Sequence, residues 1–202
     1  MSLVTLVSGG LDSTLMSIMV REEGIQQHPL FINYGQLCYE KEWKACEDVH
    51  RKHGLPVPIQ MDISGYGKII PSGLTNHSRS INDDAFLPGR NMMFLTAGAT
   101  YAYSKDANAV CIGILNDEYR LFPDQTEKFF RSCESTLQIA LGRKISVLAP
   151  LIRFTKRDII EMAKARNLEG TSSCQASSKE PCGVCVACIE FSLSGIDLTK
   201  GA

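Results

Sequence analysis

Leu3, Val4, Leu6 and Val7 form an apolar run too short for a helix, and the run stops at Ser8-Gly9-Gly10. Apolar residues then recur at Leu11, Leu15, Ile18 and Met19, the spacing of one helical face, until Gly24 closes the segment. A buried strand that turns on two glycines straight into a helix is the start of a crossover unit, and it commits the chain to a sheet covered by helices. The order repeats: residues 30–33 read as a strand, 40–53 as a helix with Trp43, Cys46 and Val49 on one side, and 57–62 as a third strand. A helix over 91–104, a strand over 109–114, a helix over 126–141, a strand near 146–148 and a helix over 156–167 follow. Strands alternating with helices through short loops predict the α/β class, here a Rossmann-like parallel sheet with helices on both faces.

Length and charge narrow the function classes. At 202 residues the chain holds one core plus an appendage, and we expect a nucleotide-binding α/β domain over 1–170 and a cysteine-bearing appendage of the same domain over 171–202. Hydrophobic residues at 44% and charged residues at 21% exclude bulk disorder, collagen and coiled coil. A net charge of −1 is a poor footprint for a nucleic-acid partner. The longest apolar stretch without charge, 91–104, falls short of the roughly twenty residues a bilayer requires. Asp12 interrupts the apolar N-terminus and Arg21 is its first basic residue, so the order of a secretory signal is missing. These features predict a cytoplasmic protein with no membrane partner. Thiols stay reduced there, and the eight cysteines read as packing residues, nucleophiles or metal ligands.

Two stretches break the pattern. Residues 64–84, rich in Gly, Ser and Asn, are long for a loop in a compact domain and read either as a functional lid or as a surface insertion. Residues 171–190 carry small polar side chains, four cysteines and no periodicity, so a cross-link is needed to order them.

The glycine turn sits where a parallel sheet presents its carboxyl edge to ligands. Within Val7, Ser8, Gly9, Gly10, Leu11, Asp12, Ser13 and Thr14, the glycines permit close approach of an anion, Ser8 and Ser13 offer hydroxyls, and the helix start adds free N–H groups. The turn is built to hold phosphate. An aspartate beside phosphate requires a cation between them, which makes Asp12 a Mg²⁺ ligand or an orienting acceptor, and helix capping is its plainer role. Neither Gly-x-x-x-x-Gly-Lys-Ser/Thr nor Gly-x-Gly-x-x-Gly occurs in the chain.

Cys174, Cys182, Cys185 and Cys188 supply four thiolates at intervals of seven, two and two residues. That set suits tetrahedral Zn²⁺ in a closed, structural site, with an iron–sulfur cluster as the rival. Cys38, Cys46, Cys111 and Cys133 are scattered and read as packing residues. Pro88-Gly89-Arg90-Asn91 opens a helix, where Arg90 can clamp carboxylate or phosphate or else lie on the surface. Tyr34-Gly35-Gln36 ends the second strand, and Lys156 begins the last helix, where it can reach phosphate or else be solvated.

Ser8-Gly9-Gly10-Leu11-Asp12-Ser13 resembles the SGGxDS signature of the PP-loop ATP pyrophosphatases. Tyr34-Gly35-Gln36, Pro88-Gly89-Arg90-Asn91, Pro123-Asp124 and the cysteine quartet, in that order, make the chain similar to one family within that superfamily, the 7-cyano-7-deazaguanine synthases. The resemblance spans the first strand to Cys188. It implies ATP as co-substrate with Mg²⁺, structural zinc on the quartet, and adenylation of 7-carboxy-7-deazaguanine followed by attack of ammonia, amide formation and conversion to the nitrile for queuosine synthesis. It further implies Asp12, Ser13, Arg90 and Lys156 as catalytic residues, Tyr34, Gln36, Arg90, Asn91 and Asp124 as substrate contacts, and a homodimer.

One departure is informative. The family usually continues Tyr-Pro-Asp-Cys-Arg, whereas Phe122-Pro123-Asp124 is followed here by Gln125 and Thr126. A second outcome therefore stays open, in which the activated deazapurine passes to another amine, such as one on a protein in a defence or modification system.

Overall fold

The computed structural model describes residues 2–115 and 122–196. Its sheet consists of β1 (Ser2–Val7), β2 (Gln26–Asn33), β3 (Ile59–Asp62), β4 (Ala109–Ile112) and β5 (Ser146–Leu148). All pairings are parallel, in the order β3-β2-β1-β4-β5. The helices are α1 (Leu11–Glu22), α2 (Tyr39–Lys52), α3 (Gly65–Ile69), α4 (Arg90–Ser104), α5 (Glu127–Leu141), α6 (Lys156–Ala165) and α7 (Val186–Leu193). The expected class is therefore observed, with helices on both faces.

Alternation along β1 sorts the core. Leu3 joins Leu15, Met16, Ile159, Ile160 and Phe191 under α1, α6 and α7, while Val4 and Leu6 join Leu95, Ala99, Phe130 and Leu137 under α4 and α5. The small residues that interrupt the 91–104 stretch let α4 lie close on the sheet: a Cβ on Gly98 would sit 2.5 Å from Val110 Cγ2. That stretch is a core helix. Among the described residues no helix is long and apolar enough to cross a membrane.

Two elements inside the irregular stretches escaped the periodicity argument. Residues 64–84 contain the five-residue α3 and then a looped segment tied down by Leu37 N–H donating to Leu74 O at 2.8 Å. Leu74 and Ser72 are buried, so the segment is packed into the body of the fold. In 171–196, α7 follows its N-cap residue Cys185 and carries Cys188 inward. β2 also begins four residues earlier than expected, because Gln26 to Pro29 pair with Ser2 to Thr5 despite their polar character. The last residues of the appendage, 197–202, lie outside the described residues.

The chain runs outward from β1 to β2 and β3, then crosses to β4 and β5 on the other side of β1. Neighbouring connections leave in opposite directions there, which opens a crevice at the carboxyl ends of β1 and β4. The candidate site occupies that crevice.

Candidate nucleotide and metal site

A cleft of about 250 Å³ lies over the switch point, lined by the PP-loop, the ends of β2 and β4, the start of α4, and residues 172–190. Its floor is the loop itself. Gly9 has φ +75°, and a Cβ there would sit 2.5 Å from the Cys46 amide nitrogen of α2, so only glycine fits. Gly113, just past β4, packs equally close to α1, with its would-be Cβ 3.0 Å from Ser13 Cα.

Hydroxyls fill the cradle. Ser13 Oγ accepts from Ser8 N–H at 3.1 Å, Ser8 Oγ accepts from Gly10 N–H at 3.3 Å, and Ser173 Oγ accepts from Leu11 N–H at 3.2 Å. Thr14 Oγ1 donates to Gly10 O at 2.8 Å, so Thr14 holds the bend together from below. Ser172 N–H donates to Gly9 O at 2.9 Å. Backbone N–H groups converging at a helix start, satisfied by side-chain oxygens that anion oxygens can replace, form an anion-binding arrangement.

Lys156 is the centre of charge in the cleft. Its ammonium donates to both Asp12 carboxylate oxygens at 2.8 Å, lies 3.2 Å from Glu190 Oε2, and stands 5.1 Å from the centre of the Phe191 ring. Lys156 is 7% exposed, so burial pulls its ionisation down, yet Asp12 and then Glu190 outweigh that cost and hold it above the usual lysine value. The capping box Thr155–Asp158 fixes the start of α6 and so aims Lys156. Sequence reasoning found Asp12 and Lys156 and missed Glu190, which carries no local signal: it reaches the site only because α7 docks beside α6.

On the opposite wall stand the other expected residues. The Arg90 guanidinium lies 5.9 Å from the ring centres of both Tyr34 and Phe94, and its Nε is buried without a hydrogen-bond partner. Burial raises the Tyr34 hydroxyl, so it stays a neutral phenol. Gln36 is committed to the fold. Its Oε1 accepts from Tyr34 N–H at 2.9 Å and its Nε2 donates to Ile32 O at 3.3 Å and Glu42 Oε2 at 3.1 Å. Asn91 and Asp124 hold each other, Asn91 N–H donating to Asp124 Oδ2 at 3.4 Å and Asn91 Nδ2 donating to Asp124 O at 3.1 Å. The residues that replace the family's Cys-Arg have local work: Gln125 Oε1 accepts from Phe122 N–H at 2.8 Å, and Thr126 caps α5 by accepting from Phe129 N–H at 3.2 Å.

The four expected cysteines come together. The Sγ atoms of Cys174, Cys182, Cys185 and Cys188 all lie within 4.8 Å of one another. Zinc–sulfur bonds of about 2.3 Å in a tetrahedron put sulfurs roughly 3.8 Å apart, so the residues fit a single ion. Cys182 N–H donates to Cys174 Sγ and Cys185 N–H to Cys182 Sγ, each at 3.3 Å, which orients sulfur lone pairs inward. The hydrogen bond with Cys185 and the neighbouring amides lower the Cys174 thiol, while the hydrogen bond with Cys174 and then burial raise Cys185. Cys38, Cys46, Cys111 and Cys133 are buried and free, as expected for packing.

A parallel α/β domain with a PP-loop at its switch point and a four-cysteine metal-binding knuckle defines a class of nucleotide-using enzymes. The family model described as queuosine biosynthesis protein QueC matches residues 2–193, and the chain belongs to that family. Similar curated proteins include 7-cyano-7-deazaguanine synthase 1 of Desulfitobacterium hafniense, 32% identical with 93% of this chain and 88% of that protein covered. The 7-cyano-7-deazaguanine synthase of Campylobacter concisus is 29% identical, with 92% and 89% covered. Among solved structures, a 4-thiouridine synthetase–RNA complex with bound ATP aligns at a TM-score of 0.55 and 20% identity over 98% of this chain and 50% of the other, which shows a shared fold.

Proposed function

We propose that this chain is an ATP-dependent ligase that converts 7-carboxy-7-deazaguanine and ammonia, through the amide, to 7-cyano-7-deazaguanine in the queuosine pathway. The observation that carries the reading is the Lys156–Asp12 pair closing one side of the PP-loop, in a chain of the QueC family. A carboxylate oxygen of the substrate attacks the α-phosphorus of ATP and pyrophosphate departs. Ammonia attacks the acyl carbon, and AMP leaves to give the amide. The amide oxygen then attacks a second ATP, pyrophosphate departs again, and loss of the two N–H protons with cleavage of the C–O bond expels AMP and leaves the nitrile.

In this reading Ser8, Gly9, Gly10, Leu11 and Ser13 grip the departing pyrophosphate, and Thr14 and Val7 keep the bend in shape. Lys156 holds Asp12 and Glu190 in place and presents positive charge where negative charge accumulates. The carboxylates of Asp12 and Glu190 are hard oxygen donors that would hold Mg²⁺, which would supply charge neutralisation for the triphosphate. Arg90, with Asn91 beside it, faces the acid substrate. Zinc on the quartet is structural, since four sulfurs leave no open position. The naming of relatives at 29% and 32% identity as 7-cyano-7-deazaguanine synthases favours ammonia over a protein amine as acceptor.

Incubation of purified protein with ATP, Mg²⁺, ammonia and 7-carboxy-7-deazaguanine tests the reading. AMP, pyrophosphate and the nitrile mass are expected. Turnover that ends at the amide refutes the second step, and failure to release pyrophosphate refutes the ligase.

A further inference from the structure

Glu42 is a half-buried acid that the steps above do not use. It lines the cleft from the first turn of α2, and burial raises its carboxyl above the usual carboxylate range. Its backbone carbonyl lies 2.9 Å from the position a Cβ on Gly9 would occupy, so the residue is mounted on the turn of helix that abuts the PP-loop. The side chain is held in place by the Gln36 amide, which is itself pinned to the backbone at Tyr34 and Ile32. One amide donor leaves most of the carboxylate's acceptor capacity unused, so a ligand that offers further donors here compensates the burial of its charge.

The surroundings specify a flat heteroaromatic ring. Ile32, Tyr34, Leu74, Ala85 and Phe94 give the cleft apolar walls on this side. Arg90, with its unpartnered buried Nε, adds a donor near the same wall. Two kinds of base compete for such a slot. A guanine-type edge offers a ring N–H and an amino group side by side, two parallel donors that match the two oxygens of a carboxylate. An adenine edge offers one amino group beside a ring nitrogen lone pair, which a carboxylate repels.

We infer that Glu42 reads the ring N–H and 2-amino edge of the deazaguanine substrate, and that Gln36 positions it to do so. The inference rests on the proposed deazaguanine chemistry and assigns the specificity of that site to a residue outside the motifs quoted above. Glu42 binds the base edge, and the 7-carboxylate on the ring's other side is left free to attack the α-phosphorus of ATP.

Calorimetry on the full chain decides it, with a non-hydrolysable ATP analogue present. Glu42→Gln, which turns one acceptor into a donor, is expected to weaken 7-carboxy-7-deazaguanine binding by roughly 10- to 100-fold, with affinity for the ATP analogue unchanged within about twofold. The same acid lacking its 2-amino group should bind the unaltered protein more weakly by a similar factor, a measurement that does not depend on the variant folding. Equal binding of the two acids by the unaltered protein overturns the inference, as does a variant whose lost affinity is for the ATP analogue. Failure of the unaltered protein to bind the acid overturns it as well. The ligase reading is scored separately: a protein that distinguishes the two acids and never releases pyrophosphate keeps Glu42's role and loses the reaction, whereas equal pyrophosphate release with either acid does the reverse.

Discussion

The Lys156 ammonium stands 2.8 Å from each carboxylate oxygen of Asp12, joining residues 144 positions apart across the mouth of the PP-loop. With Glu190 3.2 Å away, one cation serves two acids in a nearly dry corner. Removing the cation leaves two carboxylates facing each other and incoming triphosphate. Lys156→Met should cut pyrophosphate release by about 10²–10³ and destabilise the fold by about 1–3 kcal/mol, the cost of leaving partly buried carboxylates without their partner. Stopped-assay pyrophosphate detection and thermal melting measure the two effects.

The same pair sets a pH expectation. Lys156 is held above the lysine value of 10.5 because Asp12 and Glu190 overcome burial. A folded-state value above the unfolded one means the stabilisation is complete below 10.5 and is lost only as pH climbs through the higher folded value. The melting temperature of the unaltered protein should therefore show no alkaline loss from this bridge between roughly pH 7 and 10. An earlier alkaline step that Lys156→Met abolishes would contradict the assignment.

Metal and the PP-loop should be linked. The segment between the loop and the quartet is two residues long, with Ser172 bonded to Gly9, Ser173 bonded to Leu11, and Cys174 the first thiolate. Cys182→Ser or chelation should release about one zinc per chain and weaken ATP binding, because Ser172 and Ser173 lose their anchor. Metal analysis alongside nucleotide titration checks this, and full ATP affinity in metal-free protein would break the link. Zinc uptake near neutral pH should also release protons, because the cysteines bind the metal as thiolates.

Residues 8–13 and the cysteines were legible from strong local causes, a glycine turn at a helix start and ligands at metal spacing, whereas 34–36 and 88–91 are weak locally and stood out through the family resemblance. The sheet was legible from local causes as well, since strand and helix periods differ. Tertiary placement was not legible. Glu190 enters by the docking of α7, Glu42 by the approach of α2 to Gly9, and Ser173 by the return of the chain to the loop. No spacing in the sequence brings positions 12, 156 and 190 together. α7 itself was hidden because a helix of eight residues ordered by a metal knuckle shows no sustained amphipathic period.

Asp124 offers a sharper test of the residues expected to touch substrate. Its carboxylate and backbone carbonyl both hold Asn91 at the start of α4, next to Arg90. Asp124→Asn keeps an acceptor and should retain stability, whereas Asp124→Ala should cost about 1 kcal/mol and let the helix entrance drift. If Asp124 acts only by positioning Arg90 and Asn91, the Asn variant keeps kcat with a modest rise in KM for the acid. A collapse of kcat in Asp124→Asn at unchanged melting temperature would place its charge in the reaction instead.

Gly9 and Gly10 are neighbours in one motif with different physical demands. Gly9 has φ +75°, and an added Cβ would press within 3 Å of the Cys46 and Glu42 backbone. Gly10 sits in extended backbone at φ −76°, and its added Cβ would meet the Ser8 and Ser173 hydroxyls at 3.3 and 3.6 Å and the Ser172 carbonyl oxygen at 3.7 Å, with nothing closer. Gly9→Ala therefore faces both left-handed strain and a backbone clash, for a cost of about 2–4 kcal/mol, or roughly 5–15 °C in melting temperature for a chain of this length. Gly10→Ala should melt within about 2 °C of the unaltered protein and lose ATP affinity instead, because its methyl group lies beside the hydroxyls that fill the anion cradle. Paired melting and nucleotide titration separate the two. Equal stability of both variants would mean that α2 can move away from the loop, and the rigid floor described for the cleft would then be wrong.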